Sequence, residues 1–313
     1  MAHAQSGSDP ADGEAGSAIS AYALLTFTML VWAGNAVASK LAVGRVSPFA
    51  LTSLRWLVAC GVLAPLSGRR FAHEWRLLMP SWRRILLAGS CGFTAFNALF
   101  YAAGGYTTAA NIALIQGAIP ILVLVCSLLA HRTPIGPAQV GGVLVTLLGV
   151  VMAVTHGDPR VLRTLDLNRG DLLMLVASLF YAGYTVALRT RPAVSATTFF
   201  AAMALIAFVT SLPLSAIEWA SGRWIWPTSE GWMVILYVGL GPSLVSQLTY
   251  MRGVQLIGPN RAGMFINLLP VFGACMAVWL VGEPFRSSDG IALALVVGGI
   301  IVAERLGGRD RTT

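Results

Sequence analysis

Residues 21–43 read AYALLTFTMLVWAGNAVASKLAV, and residues 170–190 read GDLLMLVASLFYAGYTVALRT. Each is an apolar run of about the 20 residues an α-helix needs to cross a bilayer. The two also match in register. Trp32-Ala33-Gly34 falls on Tyr181-Ala182-Gly183, and Lys40 falls on Arg189, an offset of 149 residues. The offset persists along the chain, bringing Tyr101 onto Tyr250 and Gly104 onto Gly253. After one residue of slippage, Pro120 falls on Pro270, Pro134 on Pro284 and Gly149 on Gly299. A constant offset held through most of each half marks an internal duplication.

Ten apolar stretches can be cut at charged or Pro/Gly-rich gaps: 21–43, 48–67, 82–104, 109–130, 137–155, 170–190, 195–218, 230–252, 260–281 and 288–304. Five spans per copy is an odd number, so the second copy enters the membrane from the opposite side. The expected fold is an all-α integral membrane protein of about ten transmembrane helices, arranged as two inverted five-helix repeats. The first repeat is expected over 20–155 and the second over 170–305. A disordered N-terminal tail (1–19) and a C-terminal tail (306–313) flank them. The N-terminal tail lacks the basic start of a signal peptide, so the first run reads as a retained span.

Composition agrees. The 313 residues are 56% hydrophobic and only 11% charged, too few charges to cover a water-facing surface. The net charge of +8 does not point to nucleic acid, because the basic residues sit in short gaps between apolar runs. Cys60, Cys91, Cys126 and Cys275 are scattered singly, with no metal-ligand spacing, so neither a metal site nor a cofactor is expected. The acids all fall in tails, loops or span ends, and no Ser/His/Asp set lies at membrane depth. An enzyme is not expected. The expected partners are a small-molecule solute and the lipid bilayer; the sequence assigns no oligomeric state.

The first span and its exit read VWAGNAVASKLAVGRVSPFALTSLRW (31–56). The fourth and fifth read TTAANIALIQGAIPILVLVCSLLAHRTPIGPAQVGGVLVTLLGVVMAV (107–154), and the second copy has PNRAGMFINLLPVFGACMAVWLVGEPF (259–285) and GIALALVVGGIIVAE (290–304). These segments resemble the EamA-like transporters of the drug/metabolite transporter superfamily. The resemblance implies a ten-span carrier of small organic solutes, often an exporter of amino acids or related metabolites. One departure stands out. Where the family has Gly-Glu before the loop proline in both halves, this chain has Gly282-Glu283-Pro284 but Arg132-Thr133-Pro134. Related small multidrug exporters use an intramembrane glutamate, which this chain lacks, so that form of proton coupling is not expected.

A solute pathway belongs where the repeats meet, near mid-bilayer. Trp32 and Asn35 in span one, and Tyr181 and Tyr184 in span six, are spaced to share a helix face. They combine apolar surface with hydrogen-bonding groups, as an organic solute requires; helix packing is the competing reading. Asn97 with Tyr101, and Gln247 with Tyr250, occupy spans three and eight. They read as pathway rims or as interfacial tyrosines. Gln116 and Asn267 lie just before Pro120 and Pro270, whose missing N–H groups kink the helices and free carbonyls. Arg55 is the only basic residue clearly inside a span, and its repeat-equivalent position is apolar, at or near Ala204. Its expected roles are a structural charge, capping carbonyls or snorkelling, or a substrate-carboxylate site.

The expected function is a secondary transporter, an exporter of neutral or zwitterionic metabolites such as amino acids, working by alternating access. The alternatives are an importer or facilitator of a purine, sugar or quaternary amine, or a non-transporting scaffold or sensor. With both termini cytoplasmic, the inside segments hold thirteen Lys/Arg and the outside loops seven, which sets the expected orientation in a plasma (inner) membrane. Reporter fusions at Thr313 and near Asp158 should therefore report opposite sides. The same side for both would refute the odd-numbered repeat.

Overall fold

The computed structural model describes residues 10–107, 112, 115–117, 119–132, 136–155, 157, 158, 160, 168–276 and 287–307. Among these, every regular element is helical. The chain runs through α1 (Pro10–Ala42), α2 (Pro48–Leu78), α3 (Trp82–Gly89), α4 (Phe96–Ala103), α5 (Ile119–His131) and α6 (Pro137–Thr155). The second half supplies α7 (Arg169–Ala187), α8 (Ala196–Ala220), α9 (Ser229–Leu240), α10 (Ser246–Ile257), α11 (Pro259–Met264), α12 (Leu268–Met276) and α13 (Ser287–Gly307). Five continuous helical runs are long and apolar enough to cross a membrane, one of them Pro48–Ala103, and shorter apolar helices accompany them. Spans two and three share that run; spans three and eight are each built from two helices, α3 with α4 and α9 with α10.

Two boundaries differ from expectation. Residues 10–19, expected as disordered tail, are helical at the start of α1. Pro10 opens the helix, where an N–H would go unused. Helix α2 continues past residue 67 to Leu78, because its arginine-rich end is interleaved with Phe71, Trp75 and Leu78. Residues 1–9, Pro134, Gly282-Glu283-Pro284 and the tail from 308 lie outside the described residues.

The repeats are bound by two antiparallel helix pairs. In the first, each helix end is capped by a carboxylate from its repeat mate. Glu218, near the end of α8, accepts the Phe49 and Ala50 N–H groups at the start of α2, at 3.4 and 3.1 Å. Glu74, near the end of α2, accepts the Ser195 N–H and hydroxyl at the start of α8, at 3.0 and 2.8 Å. A helix N-terminus offers unsatisfied N–H groups and partial positive charge, so both carboxylates sit where helix electrostatics favour them.

The second pair, α6 and α13, packs backbone on backbone. A Cβ on Gly149 would lie 2.9 Å from the Ala292 carbonyl and the Val296 amide nitrogen. A Cβ on Gly299 would lie 2.6 Å from the Gly142 carbonyl. These two glycines are repeat equivalents, so the same close approach is made from each side. Small residues let membrane helices gain dispersion contact that lipid cannot supply.

The Arg132 departure also has a structural consequence. Arg132 ends α5 with φ +49°, the left-handed region, and its N–H returns to the Leu128 carbonyl at 2.8 Å. A glycine fits this position without steric cost. Arg132→Gly should raise thermal stability by about 1 kcal/mol, less whatever glycine gives back through a freer unfolded chain. An unchanged or lower melting temperature would contradict the strain.

Adjacent glycines in α13 should respond with opposite sign. Gly299→Ala should destabilise by about 1–3 kcal/mol, since backbone must yield. Gly298 has nothing within 4 Å of its Cβ position. Gly298→Ala should gain about 0.5–1 kcal/mol of helix propensity. Paired melting curves of the two variants decide this.

Candidate functional site

Spans three and eight are each broken by a turn in which hydrogen bonds run five residues back: Ser90–Ala95 and Gly241–Val245. Phe96 N–H reaches Cys91 O, and Ser246 N–H reaches Gly241 O. Both ends of the second bond are the first displaced by 150 residues, so the wide turn is part of the duplication. In span eight the cause is visible. Pro242 has no N–H to give Val238 O, and the Ser243 hydroxyl donates to that carbonyl instead, at 2.7 Å. The freed Pro242 carbonyl accepts the Ser246 hydroxyl at 2.7 Å and the Trp32 indole N–H at 3.3 Å. The first copy has no proline here, and the sequence gives no comparable signal for its wide turn. Such bulges re-aim the residues that follow them, which are Asn97 and Tyr101 in one repeat and Gln247 and Tyr250 in the other.

A cavity of about 30 Å³ lies between the repeats, lined by Trp32, Asn35, Arg55, Asn97, Gln116, Tyr181 and Gln247 among polar and amphipathic side chains. Phe96, Phe100, Ile119, Ile266 and Leu269 complete its wall; the sequence reading did not single these out. Arg55 is 2% exposed. Its Nε–H donates to Ser243 Oγ at 2.6 Å, and Nη1 donates to Asn97 Oδ1 at 2.6 Å and to the Tyr101 hydroxyl. The Tyr101 hydroxyl donates onward to Asn35 Oδ1 at 3.0 Å. Arg55 therefore neither caps a backbone carbonyl nor snorkels. It organises side chains from both repeats.

The aromatic side of the site is equally dense. Trp32 meets Tyr181 edge-on at 5.7 Å and Tyr250 at 5.1 Å between ring centroids. Tyr101 and Tyr250 are both buried, so neither is an interfacial tyrosine. They stand behind the wall, Tyr101 holding Arg55 and Asn35, Tyr250 backing Trp32. The structure places Tyr184 elsewhere. It meets Phe93 edge-on at 5.2 Å and borders a separate cavity of about 280 Å³ with Arg84 and Arg191. A Cβ on Gly92 would fall 2.3 Å from the Tyr184 ring, so that ring packs on bare backbone. Asn267 is fully buried but is not among the lining residues, and neither polar atom of its amide makes a hydrogen bond. It sits in a tight turn, Phe265–Asn267, which ends where Pro270 cannot donate to the Ile266 carbonyl. Pro120 lies buried at the second residue of α5, one turn after Gln116.

The EamA-like transporter family matches residues 19–155 and 168–304, one copy for each repeat. YyaM of Bacillus subtilis, named an uncharacterized transporter, is 25% identical over 85% of this chain and 87% of its own. YddG of Ancylobacter novellus, named an aromatic amino acid exporter, is 26% identical over 91% of this chain and 98% of its own. A crystal structure at 23% identity superposes with a TM-score of 0.73, covering 92% of this chain and 98% of that one, which supports the fold. With both repeats matched end to end, the chain belongs to the EamA-like transporter family and is a multi-pass membrane transporter.

Proposed function

We propose that this protein exports aromatic amino acids or closely similar zwitterionic metabolites across an inner membrane by alternating access. The observation that carries the proposal is the cavity itself. It lies at the junction of two inverted repeats and combines an aromatic wall (Trp32, Tyr181, Phe96, Phe100) with amides from Asn35, Asn97, Gln116 and Gln247. Flat apolar faces with a few directed polar groups suit a ring-bearing solute that also has hydrogen-bonding ends. The name of the Ancylobacter relative supports the same solute class.

At about 30 Å³ the cavity has room for roughly two waters and no amino acid. Loading therefore requires the repeats to part. The wide turns of spans three and eight and the tight turn before Pro270 are the places where the backbone already departs from regular helix. They are the natural hinges.

Purified protein in liposomes should show saturable counterflow of radiolabelled L-phenylalanine or L-tryptophan. Asn35→Ala should weaken apparent affinity by about two- to tenfold, the value of one buried amide contact. Trp32→Ala, which removes the larger contact surface, should weaken it further. Expression and melting temperature are measured on the same samples. Well-folded variants that transport as wild type does would put the pathway elsewhere. No counterflow with any member of a broad metabolite panel would favour a scaffold.

A further inference from the structure

Among the described residues the cavity holds one charge and no counter-charge. Every acceptor that Arg55 uses is neutral: a serine hydroxyl, an asparagine oxygen and a tyrosine hydroxyl. A guanidinium carries five N–H groups in a rigid fork. Those three bonds occupy Nε and Nη1, and the two N–H groups of Nη2 have no acceptor among the described residues. The buried carboxylates among the described residues are committed at helix ends. Asp171 accepts from the Asn168 N–H at 2.9 Å and from the Thr107 hydroxyl, and Glu218 caps α2. The guanidinium also lies over the Trp56 and Tyr101 rings, at 5.4 and 5.5 Å, but a buried cation at membrane depth held by dipoles and ring faces without a counter-charge is costly, and functional ones face a pathway.

We infer that Arg55 is the anchor for a carboxylate of the solute, so that the site selects organic acids and amino acids over their amides and amines. The inference rests on the transport reading and deepens it. A carboxylate presents two oxygens in the plane of the guanidinium fork, matching Arg in a way a point charge does not. It also supplies the missing negative charge. Gln247 Oε1, buried on the cavity and without a hydrogen bond, is placed to accept from an amino group on the same solute. The aromatic wall takes the ring. Three kinds of lining group thus correspond to three parts of an aromatic amino acid, with the carboxylate contributing the charge.

The test separates binding from transport. Thermal stability of the purified protein is measured with L-phenylalanine, 3-phenylpropionate, L-phenylalaninamide and 2-phenylethylamine, in buffers of matched ionic strength. The two carboxylates should raise the melting temperature at concentrations at least tenfold below those needed by the amide or amine. Arg55→Gln should erase that preference, and Arg55→Lys should keep only part of it. If Arg55→Gln does not fold, the wild-type comparison and Arg55→Lys still decide. Equal protection by acid and amide, protection by none of the four, or the full effect from chloride alone would overturn the anchor. Acid-selective binding without counterflow would instead overturn transport and leave the anchor standing. Counterflow of acid and amide at equal rates would do the reverse.

Discussion

A bilayer offers no hydrogen-bond partner, so every break in a helix must be satisfied by the protein itself. The breaks in spans three and eight obey this rule, and the groups that satisfy them are the groups that build the site. Ser243 replaces the N–H that Pro242 lacks, and the same hydroxyl receives Arg55. Trp32 donates to the freed Pro242 carbonyl and faces the cavity with its ring. In the first repeat the Asn97 amide donates to the Phe93 carbonyl inside the wide turn, and its oxygen receives Arg55. Backbone repair and the cavity lining therefore draw on the same side chains. Replacing one of them disturbs helix geometry and site polarity together, which is why stability has to be measured beside affinity for each variant.

The duplicated fold was legible because a membrane imposes long apolar runs, and the offset between them survives wherever packing is tight. Gly149 and Gly299 show the reason: each touches the opposite helix's backbone, so neither tolerates a side chain. That Trp32, Asn35 and Tyr181 would line one cavity was legible because they sit at repeat-equivalent points of spans one and six. Tyr184 lies off that cavity. Spacing of three keeps two residues on one helix face but moves the second along the axis by most of a turn. Trp32 and Asn35 share that spacing and both line the cavity, so the cause is local: Gly92 leaves bare backbone on which the Tyr184 ring packs, beside Phe93. The wide turn in the first repeat was not legible, since no proline marks it. Nor were the partners of Arg55, which lie 42, 46 and 188 residues away and meet only through tertiary packing.

The scaffold is symmetric where it bears on packing and asymmetric where it bears on chemistry. The carboxylate caps come as a pair, one from Glu74 and one from Glu218; so do the glycine contacts and the wide turns. Arg55 has no counterpart, because the corresponding point of α8 is the fully buried Ala204. Tyr101 and Tyr250 diverge accordingly: one hydroxyl engages Arg55, while the other ring backs Trp32. An inverted repeat needs symmetry in its scaffold, since that is what gives its two access states similar energies. It needs none at the centre. A group near the axis faces both access states, so the anchor inferred for Arg55 would need one arginine, where a symmetric pair would bury two like charges within one small cavity. The cost of a second desolvated cation, with no carboxylate on the cavity among the described residues to offset it, is the physical reason for one charge on a twofold scaffold.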